Sequence, residues 1–591
     1  MAKQNLLDLL VGYEQNEGEG KGKRFASREI SGSVAHRSKS RLLHKINELI
    51  GKIFDMIAYT STRTYGLFLG TFGLLTLIIH FAKDYLGLGA NVSPAVILIS
   101  VLFAVLAVPF MSFDKPSATA MEEFRLTDWI FFEFFCMQRM PKKVVDVTLH
   151  PLVGVILGSL LAILGAFVPV TNVAIGIGVA VYVFLTLTSP EFSIFLIFLV
   201  IPYFPMMQHS ELILAGLVSV TLISFIRKTY EGKRIYYFEK YDLLIVFMLL
   251  IVLASGAVIG GEGSLLSSLV MLVLGFGGYV LTGSLVVNRR LADNVIKANI
   301  FASLPISVIA IIEFFEGAVA GGEGFSGVRG SFGSSDMLAA YLLTVSVFII
   351  YFIIARTHFA IKLIYAIYLI PTLFAMAVTL RPWVIVAIVS GLIVYFAFKA
   401  RNISGILLGT IGFLPYVLLF LPDSWLSFIG NLAPMTFLGF DEYIGVWIES
   451  RAIFLDNIWI GVGTGDFMDA PYTANFLLQI ALEAGALVLF VFLAIFSTRL
   501  QHRTIYAPYI TNSEVSLITD FADISVMVLM VYGLFTPLWS APTIYYLFWC
   551  TFALGSAVLR VSKREFDERV GYFSDGAGHD SSSIDIAIKT R

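Results

Sequence analysis

The chain reads as an all-α polytopic membrane protein of about 14 to 16 transmembrane helices, with a long external loop before the last three spans. Three observations predict this. Of its 591 residues 58% are hydrophobic and only 14% charged, and the mean hydropathy of +0.84 lies outside the range of soluble domains. Apolar runs of about 20 residues, the length that crosses a bilayer, recur along the chain. Threading those runs by the positive-inside rule brings all but four of the 40 Lys and Arg to one side. The net charge of -2 conceals that segregation, and nothing in it suggests nucleic acid.

In chain order, residues 1–60 form a cytoplasmic tail. Its stretch from Glu14 to Ser40, with Gly18, Gly20, Gly22 and scattered charges, is expected to be disordered. Leu42, Leu43, Ile46, Leu49, Ile50, Ile53 and Ile57 then recur at helical spacing among Lys45, Glu48 and Lys52, which predicts a helix lying in the membrane interface. No small-residue cleavage pattern after a short apolar core precedes the first long run, so that run is expected to act as an uncleaved anchor. Residues 61–190 carry four spans, near 64–82, 92–112, 151–168 and 172–188. Between the second and third, Trp129, Phe131, Phe132, Phe134 and Phe135 together with Lys142 and Lys143 predict an interfacial or core-docked helix. Cys136 and Cys550 fall in this segment and in the last apolar run, so neither a disulfide framework nor a cysteine metal site is expected.

Residues 191–561 carry the remaining runs, near 191–206, 211–226, 241–260, 265–287, 296–314, 336–356, 361–380, 383–398, 403–421, 473–498, 522–537 and 543–560. Breaks at Ser189 to Glu191, Pro202 and Pro205 leave short pieces that fit half-spans, which sets the lower count. The loops with Arg227, Lys228, Lys233 and Arg234, then Arg289 and Arg290, Arg356 and Lys362, Lys399 and Arg401, and Arg499 and Arg503 share one side. That agreement predicts a multi-pass protein of the cell membrane with both termini cytoplasmic, ending in a largely disordered tail over 562–591, chiefly beyond Gly571. Two external connections are long. One is the glycine-rich segment 315–335, the other the loop 422–472. Loops of that length between packed helices are usually functional.

The four cations on the far side are Lys83, Arg329, Arg381 and Arg451. An arginine that dips into hydrocarbon costs roughly 2.5–3.5 kcal/mol, so each of the three calls for a compensating role. The planar guanidinium fork suits phosphate or pyrophosphate oxygens. Plainer roles stand beside that one: Arg381 capping a helix C-terminus or reaching the interface, Arg451 pairing with Glu449 or Asp456, and Arg329 bracing a glycine turn.

Three pieces, read in order, carry a family resemblance. Arg329-Gly330-Ser331-Phe332-Gly333-Ser334-Ser335-Asp336 opens a run beginning Met-Leu-Ala-Ala, and Thr379-Leu380-Arg381-Pro382-Trp383 ends another run. The third runs from Arg451 through Asp456, Asn457, Trp459, Gly461, Gly463, Gly465 and Asp466 to Asn475, Gln479, Glu483 and Gly485. Together they resemble the O-antigen ligase and O-antigen polymerase superfamily, membrane glycosyltransferases of surface polysaccharide assembly. The family has Gly-Thr-Phe-Gly-Asn-Pro-Asn-x-Leu-Ala, Ser-Arg-Gly, and an arginine followed by Pro-x-x-Gly-x-Gly, His-Asn-x-x-Leu-Gln and Glu-x-Gly. This sequence departs from it at Ser334-Ser335-Asp336, Leu380 and Pro382, and has Ala474 at the histidine position, which favours polymerase over ligase.

The resemblance implies transfer of a saccharide from a polyprenyl-pyrophosphate-linked donor to a glycan, lipid or protein acceptor at the external face. Negative charge grows on the departing pyrophosphate, and fixed guanidinium groups stabilise it as a divalent cation does elsewhere. Arg329 and Arg381 are assigned to the pyrophosphate, and Arg451 to the sugar end or to closure over the donor. Asp466, Asp469 and Glu449 are candidate bases for the acceptor hydroxyl, with His209 a remoter one. Gly463, Gly465, Asn475 and Trp459 join Glu449 as candidate substrate contacts. Against that, the glycines also suit turn geometry, Asn475 a helix cap, Glu483 a hydrogen bond to a neighbour and the tryptophans an interface belt. No cofactor or metal is expected, since no Asp-x-Asp or histidine cluster stands among the external residues. Two other classes remain: a flippase for lipid-linked saccharides, and an inactive scaffold of an assembly complex.

Overall fold

The structure, a computed structural model, describes residues 41–86, 94–135, 148–207, 209–230, 234–237, 239, 241–259, 264–319, 327–399, 422–430, 440–463, 475–506 and 513–576. The described residues are overwhelmingly helical, with a single isolated β-bridge between Ser61 and Pro116. Among them nine helices are long and apolar enough to cross a membrane, and shorter apolar helices accompany these. The run expected at 403–421 lies outside the described residues, as do residues 1–40 and 577–591. The chain divides into two compact units, Met1–Ser193 with Ser224–Ile235, and Ile194–Ile223 with Tyr236–Arg591.

The first unit opens with α1 (Arg41–Tyr59), the amphipathic segment, whose Leu49 and Ile53 are exposed while Ala58 and Tyr59 are buried with Ala118. α2 (Thr62–Tyr85) packs on α3 (Pro94–Ser112), then α4 (Ser117–Glu123) leads to a π-helical turn at Asp128–Phe134. Of the aromatic segment expected to dock or lie in the interface, Phe135 is buried against Phe192 at 4.8 Å and Trp129 is exposed. α5 (Pro151–Phe167) lies along the other side of α2, followed by α6 (Val170–Thr188). Glycines make the α2 contacts: Gly66 and Gly73 meet the backbone of α3, while Gly154 and Gly158 of α5 meet Thr64, Phe68 and Thr71 of α2. Where lipid gives no hydrophobic drive for helices to associate, small residues allow the close approach that does. Lys83 donates to Ala166 O near the end of α5, so this cation has a helix-terminal carbonyl as partner.

Helices α7 (Pro190–Val200) and α8 (Ser210–Tyr230) straddle the division, with a 3-10 turn at Ile201–Met206 between them. The second unit continues with α9 (Asp242–Val258), α10 (Ser264–Leu285), α11 (Arg289–Val319), α12 (Ser335–Ala355), α13 (Phe359–Ala377) and α14 (Trp383–Lys399). Two helices of the long loop follow, α15 (Asp423–Gly430) and α16 (Phe440–Asp456), then α17 (Phe476–Tyr506), α18 (Ser513–Tyr532) and α19 (Pro542–Gly576). The apolar stretches of α12, α18 and α19 are 78%, 83% and 94% buried, against 22% for α13, so the first three form the centre of this unit.

One end of the second unit is fastened by ion pairs. Arg356 bonds Asp293 at 2.8 Å, Arg499 and Arg503 meet Asp523 at 3.1 and 3.0 Å, and Arg503 also pairs with Asp520. These pairs explain where helices outrun the apolar runs. α11 begins at Arg289, ahead of its run, and contains Asp293; α17 continues past Thr498 through Arg499 and Arg503. α19 likewise continues through Gly576, beyond the point at which the tail is expected to lose order. α12 and α18 run from end to end, with Asp336 and Tyr532 at the opposite extremity. That extremity carries the candidate site.

Candidate functional site

The glycine-rich connection re-enters the described structure at Gly327 and lies against the end of α13, with Val328 N donating to Val378 O at 3.2 Å. Arg329 is right-handed (φ −108°, ψ −25°) and Gly330 left-handed (φ +53°), a sequence that turns successive N–H groups toward one point and makes a small anion-binding concavity. Glu313 of α11 fills it. Its carboxylate accepts from Arg329 N at 3.0 and 3.2 Å and from Gly330 N at 2.7 Å. Ser331 Oγ donates to Pro202 O at 2.6 Å, which ties the turn to the 3-10 segment. The Arg329 side chain is exposed and, among the described residues, makes no hydrogen bond or ion pair.

Arg381 stands at the same extremity, just beyond the end of α13. It follows Leu380, which adopts φ +56°, a conformation that costs a non-glycine residue on the order of 1–3 kcal/mol and persists only where the surroundings enforce it. Here the guanidinium donates to Ser335 Oγ from Nε at 2.9 Å and Nη2 at 2.7 Å, and Nε lies 3.0 Å from Asp336 Oδ1. Arg381 thus follows the end of α13, while its side chain binds at the N-terminus of α12. A cation there opposes the helix dipole, and Asp336 offsets it.

Arg451 is half-buried on α16, one turn after Trp447 and on its face. Trp447 packs near-parallel to Phe535 (centroids 6.3 Å apart), and Phe535 stacks on Trp383 at 3.7 Å and 5°. Because Trp383 is two residues beyond Arg381, this aromatic stack draws α16 to the Arg381 end. Glu449 is exposed, and Trp459 is 78% exposed, a position open to an interface or to a ligand.

The third motif builds a break in a helix. Gly485 (φ +85°, ψ 172°) interrupts α17, and the segment 458–463 lies in the gap. Val462 N donates to Leu482 O at 2.8 Å, Gly463 N to Glu483 O at 3.1 Å, and Ala486 N to Ile458 O at 2.7 Å. Ser255 of α9 closes the junction, its hydroxyl shared between Ile460 O at 3.0 Å and Glu483 O at 2.8 Å. Gly461 and Gly463 serve backbone geometry here. Asn475 caps the helix, its Oδ1 accepting from Leu477 N at 2.8 Å and Leu478 N at 3.3 Å. Glu483 is buried and accepts from Gln479 Nε2 at 2.8 Å.

The structure thus brings the Arg329 turn and Arg381 to one extremity and links the helix of Arg451 to it. Gly465, Asp466 and Asp469, and Ala474 with them, lie outside the described residues. His209 is exposed, with φ +54° and its carbonyl capping the start of α8. Two carboxylates at the site were given no role from the sequence, Glu313 and Asp336, although Asp336 closes the first motif. The sidedness that marked the arginines does not mark carboxylates, and the weaker signal available was an ionisable residue at the end of an apolar run. Among the described residues no group of three or more His, Cys, Asp or Glu side chains is arranged to hold a metal ion. No protein-family model and no curated protein matches the chain.

Proposed function

We propose that the protein is an integral membrane glycosyltransferase of the O-antigen polymerase or ligase type, with about 14 to 16 spans and both termini cytoplasmic. It transfers a saccharide from a polyprenyl-pyrophosphate donor to a glycan, lipid or protein acceptor at the external face. The observation that supports this reading is that the Arg329 turn and Arg381 lie at the same extremity, opposite the ion-paired end, with α16 drawn in by the Trp383, Phe535 and Trp447 stack. As the glycosidic bond breaks, charge builds on the pyrophosphate, and a guanidinium already held in place, that of Arg381, stabilises it with little reorganisation. Arg381 is held by Ser335 and Asp336, which orients its fork. The acceptor hydroxyl loses its proton to a carboxylate of the long loop, Glu449, Asp466 or Asp469.

The test is mass spectrometry of polyprenyl-linked saccharides in cells carrying wild type, Arg381→Lys or Arg451→Ala at matched membrane abundance. Lysine keeps the charge of Arg381 and loses the fork, and a loss of about 100-fold in turnover is expected. Accumulated single repeat units indicate a polymerase and accumulated finished chains a ligase; an unchanged lipid-linked pool in both variants removes the transferase reading. A second reading is favoured by the break in α17, where buried Glu483 and Gln479 stand beside unwound backbone. Interrupted helices of this kind line the substrate paths of transporters, and movement of labelled lipid-linked saccharide across vesicles without any transfer supports it.

A further inference from the structure

We infer that Glu483 and Gln479 form a proton-binding site inside the break of α17, and that the bound proton latches the segment 458–463 into that break, independently of sugar transfer. Both side chains are nearly inaccessible, Glu483 at 3% and Gln479 at 2% exposure. Gln479 Nε2 donates to Glu483 Oε1 at 2.8 Å, the one hydrogen bond of this carboxyl among the described residues. Gln479 Oε1, in contrast, is buried without a donor. A carboxylate can only accept, whereas a protonated carboxyl has an O–H to give, so an acid and a primary amide can each donate to the other. The proton supplies the donor that Gln479 Oε1 lacks. No cation takes that place. Neither the segment 458–463 nor α17 from Phe476 to Thr498 has another ionisable side chain, nor have the turns Gly533–Phe535 and Leu538–Ser540. α9 presents Ser255, whose hydroxyl is taken by two backbone carbonyls, and Tyr545 of α19 is the titratable group within electrostatic reach. Among the described residues the charged side chains of α16 do not act on Glu483. An ionised Glu483 would carry its charge in an apolar interior, a cost that buried carboxyls ordinarily escape by taking a proton. It also stands at the C-terminal end of the helical half 476–484, whose dipole repels an anion. The backbone of the same residue seats the inserted segment, since Glu483 O accepts from Gly463 N at 3.1 Å and from Ser255 Oγ at 2.8 Å. Loss of the proton drives Glu483 toward water and releases that seat. Because the segment continues from α16, the proton controls how the helix that carries Arg451 is held.

The experiment is infrared difference spectroscopy of the purified full-length protein in nanodiscs across pH, with hydrogen exchange of the 458–463 amides on the same samples. Wild type is compared with Glu483→Gln and Gln479→Leu. Glutamine at 483 keeps the shape of the side chain and its pairing with Gln479 while removing the titration. At neutral pH wild type is expected to show the carbonyl stretch of a protonated carboxyl that Glu483→Gln lacks. Gln479→Leu keeps this band at a shifted frequency, because the amide partner is gone. Once rising pH removes the band, exchange at Val462 and Gly463 is expected to run at least about tenfold faster in wild type than in Glu483→Gln, the scale of one lost hydrogen bond. Comparing the two at each pH cancels the intrinsic pH dependence of exchange. Should Glu483→Gln fail to fold, the band shift in Gln479→Leu still reads the acid–amide pair. A wild type without the band at neutral pH, a band that Gln479→Leu leaves unmoved, or exchange that stays equal at every pH overturns the inference.

Discussion

Gly485 is the residue whose replacement separates geometry from chemistry in the third motif. Its backbone (φ +85°, ψ 172°) is essentially restricted to glycine, and an added Cβ falls 2.3 Å from Trp459 O. Gly485→Ala is therefore expected to destabilise the protein by roughly 1–3 kcal/mol from backbone strain alone, with the clash adding to it. Gly176→Ala, on a helix face with nothing within 4 Å, is the control and should stay within about 1 kcal/mol of wild type. Thermal melts in detergent decide it: a Gly485→Ala melt matching the control shows that the break is not required. At this scale the sequence was legible in part. The arginines stood out because sidedness made them anomalous. Glu313 and Asp336 did not, because their partners Arg329 and Arg381 are brought to them by folding across 16 and 45 residues, a relation that no local pattern encodes. Nor does a glycine in an apolar run announce a left-handed φ.

Among the elements, α2 and α5 show how close packing depends on what side chains are absent. A Cβ on Gly158 falls 2.1 Å from Thr71 Oγ1 and 2.7 Å from Phe68 O, so the two helices cannot keep their distance with any larger residue there. Gly158→Leu is expected to force them apart at a cost of at least about 1–3 kcal/mol. The readouts are loss of the monodisperse peak in size-exclusion chromatography and faster cleavage of the first unit by protease. Gly178→Leu, with nothing within 4 Å of its Cβ, keeps both unchanged. If Gly158→Leu also keeps them, the two helices do not depend on a glycine at this seam. Apolar runs predicted such helices because a bilayer fixes their minimum length. Their true ends were less legible: α11, α17 and α19 continue as charged helix, and what sustains the first two is pairing with residues far away in sequence, Arg356 for Asp293 and Asp523 for Arg499.

The second unit as a whole has two unlike extremities, and their difference has a pH consequence. At the ion-paired end, Glu239 in the connection before α9 joins three helices, with Arg560 of α19 at 3.6 Å, His502 of α17 at 3.4 Å, and its own N–H donating to Asp242 of α9 at 2.9 Å. Burial pushes the Glu239 carboxyl above its ordinary 4.5, Arg560 opposes that shift, Asp242 reinforces it, and Arg499 and Lys563 oppose it further. The folded protein therefore holds this proton more tightly than the unfolded chain does. Its contribution to stability is fully present below about pH 4.5 and is lost as pH rises through the raised folded value. Glu239→Gln keeps an acceptor for Arg560 and cannot ionise, so the stability of wild type relative to this variant should fall as pH rises from about 4.5. Comparing the two melts across pH cancels the titration of carboxylates elsewhere in the chain. A difference that stays constant with pH would mean that folding leaves the affinity of Glu239 for its proton unchanged, and one that grows in favour of wild type would mean that Arg560 holds it ionised as a plain salt bridge; either outcome overturns the raised value.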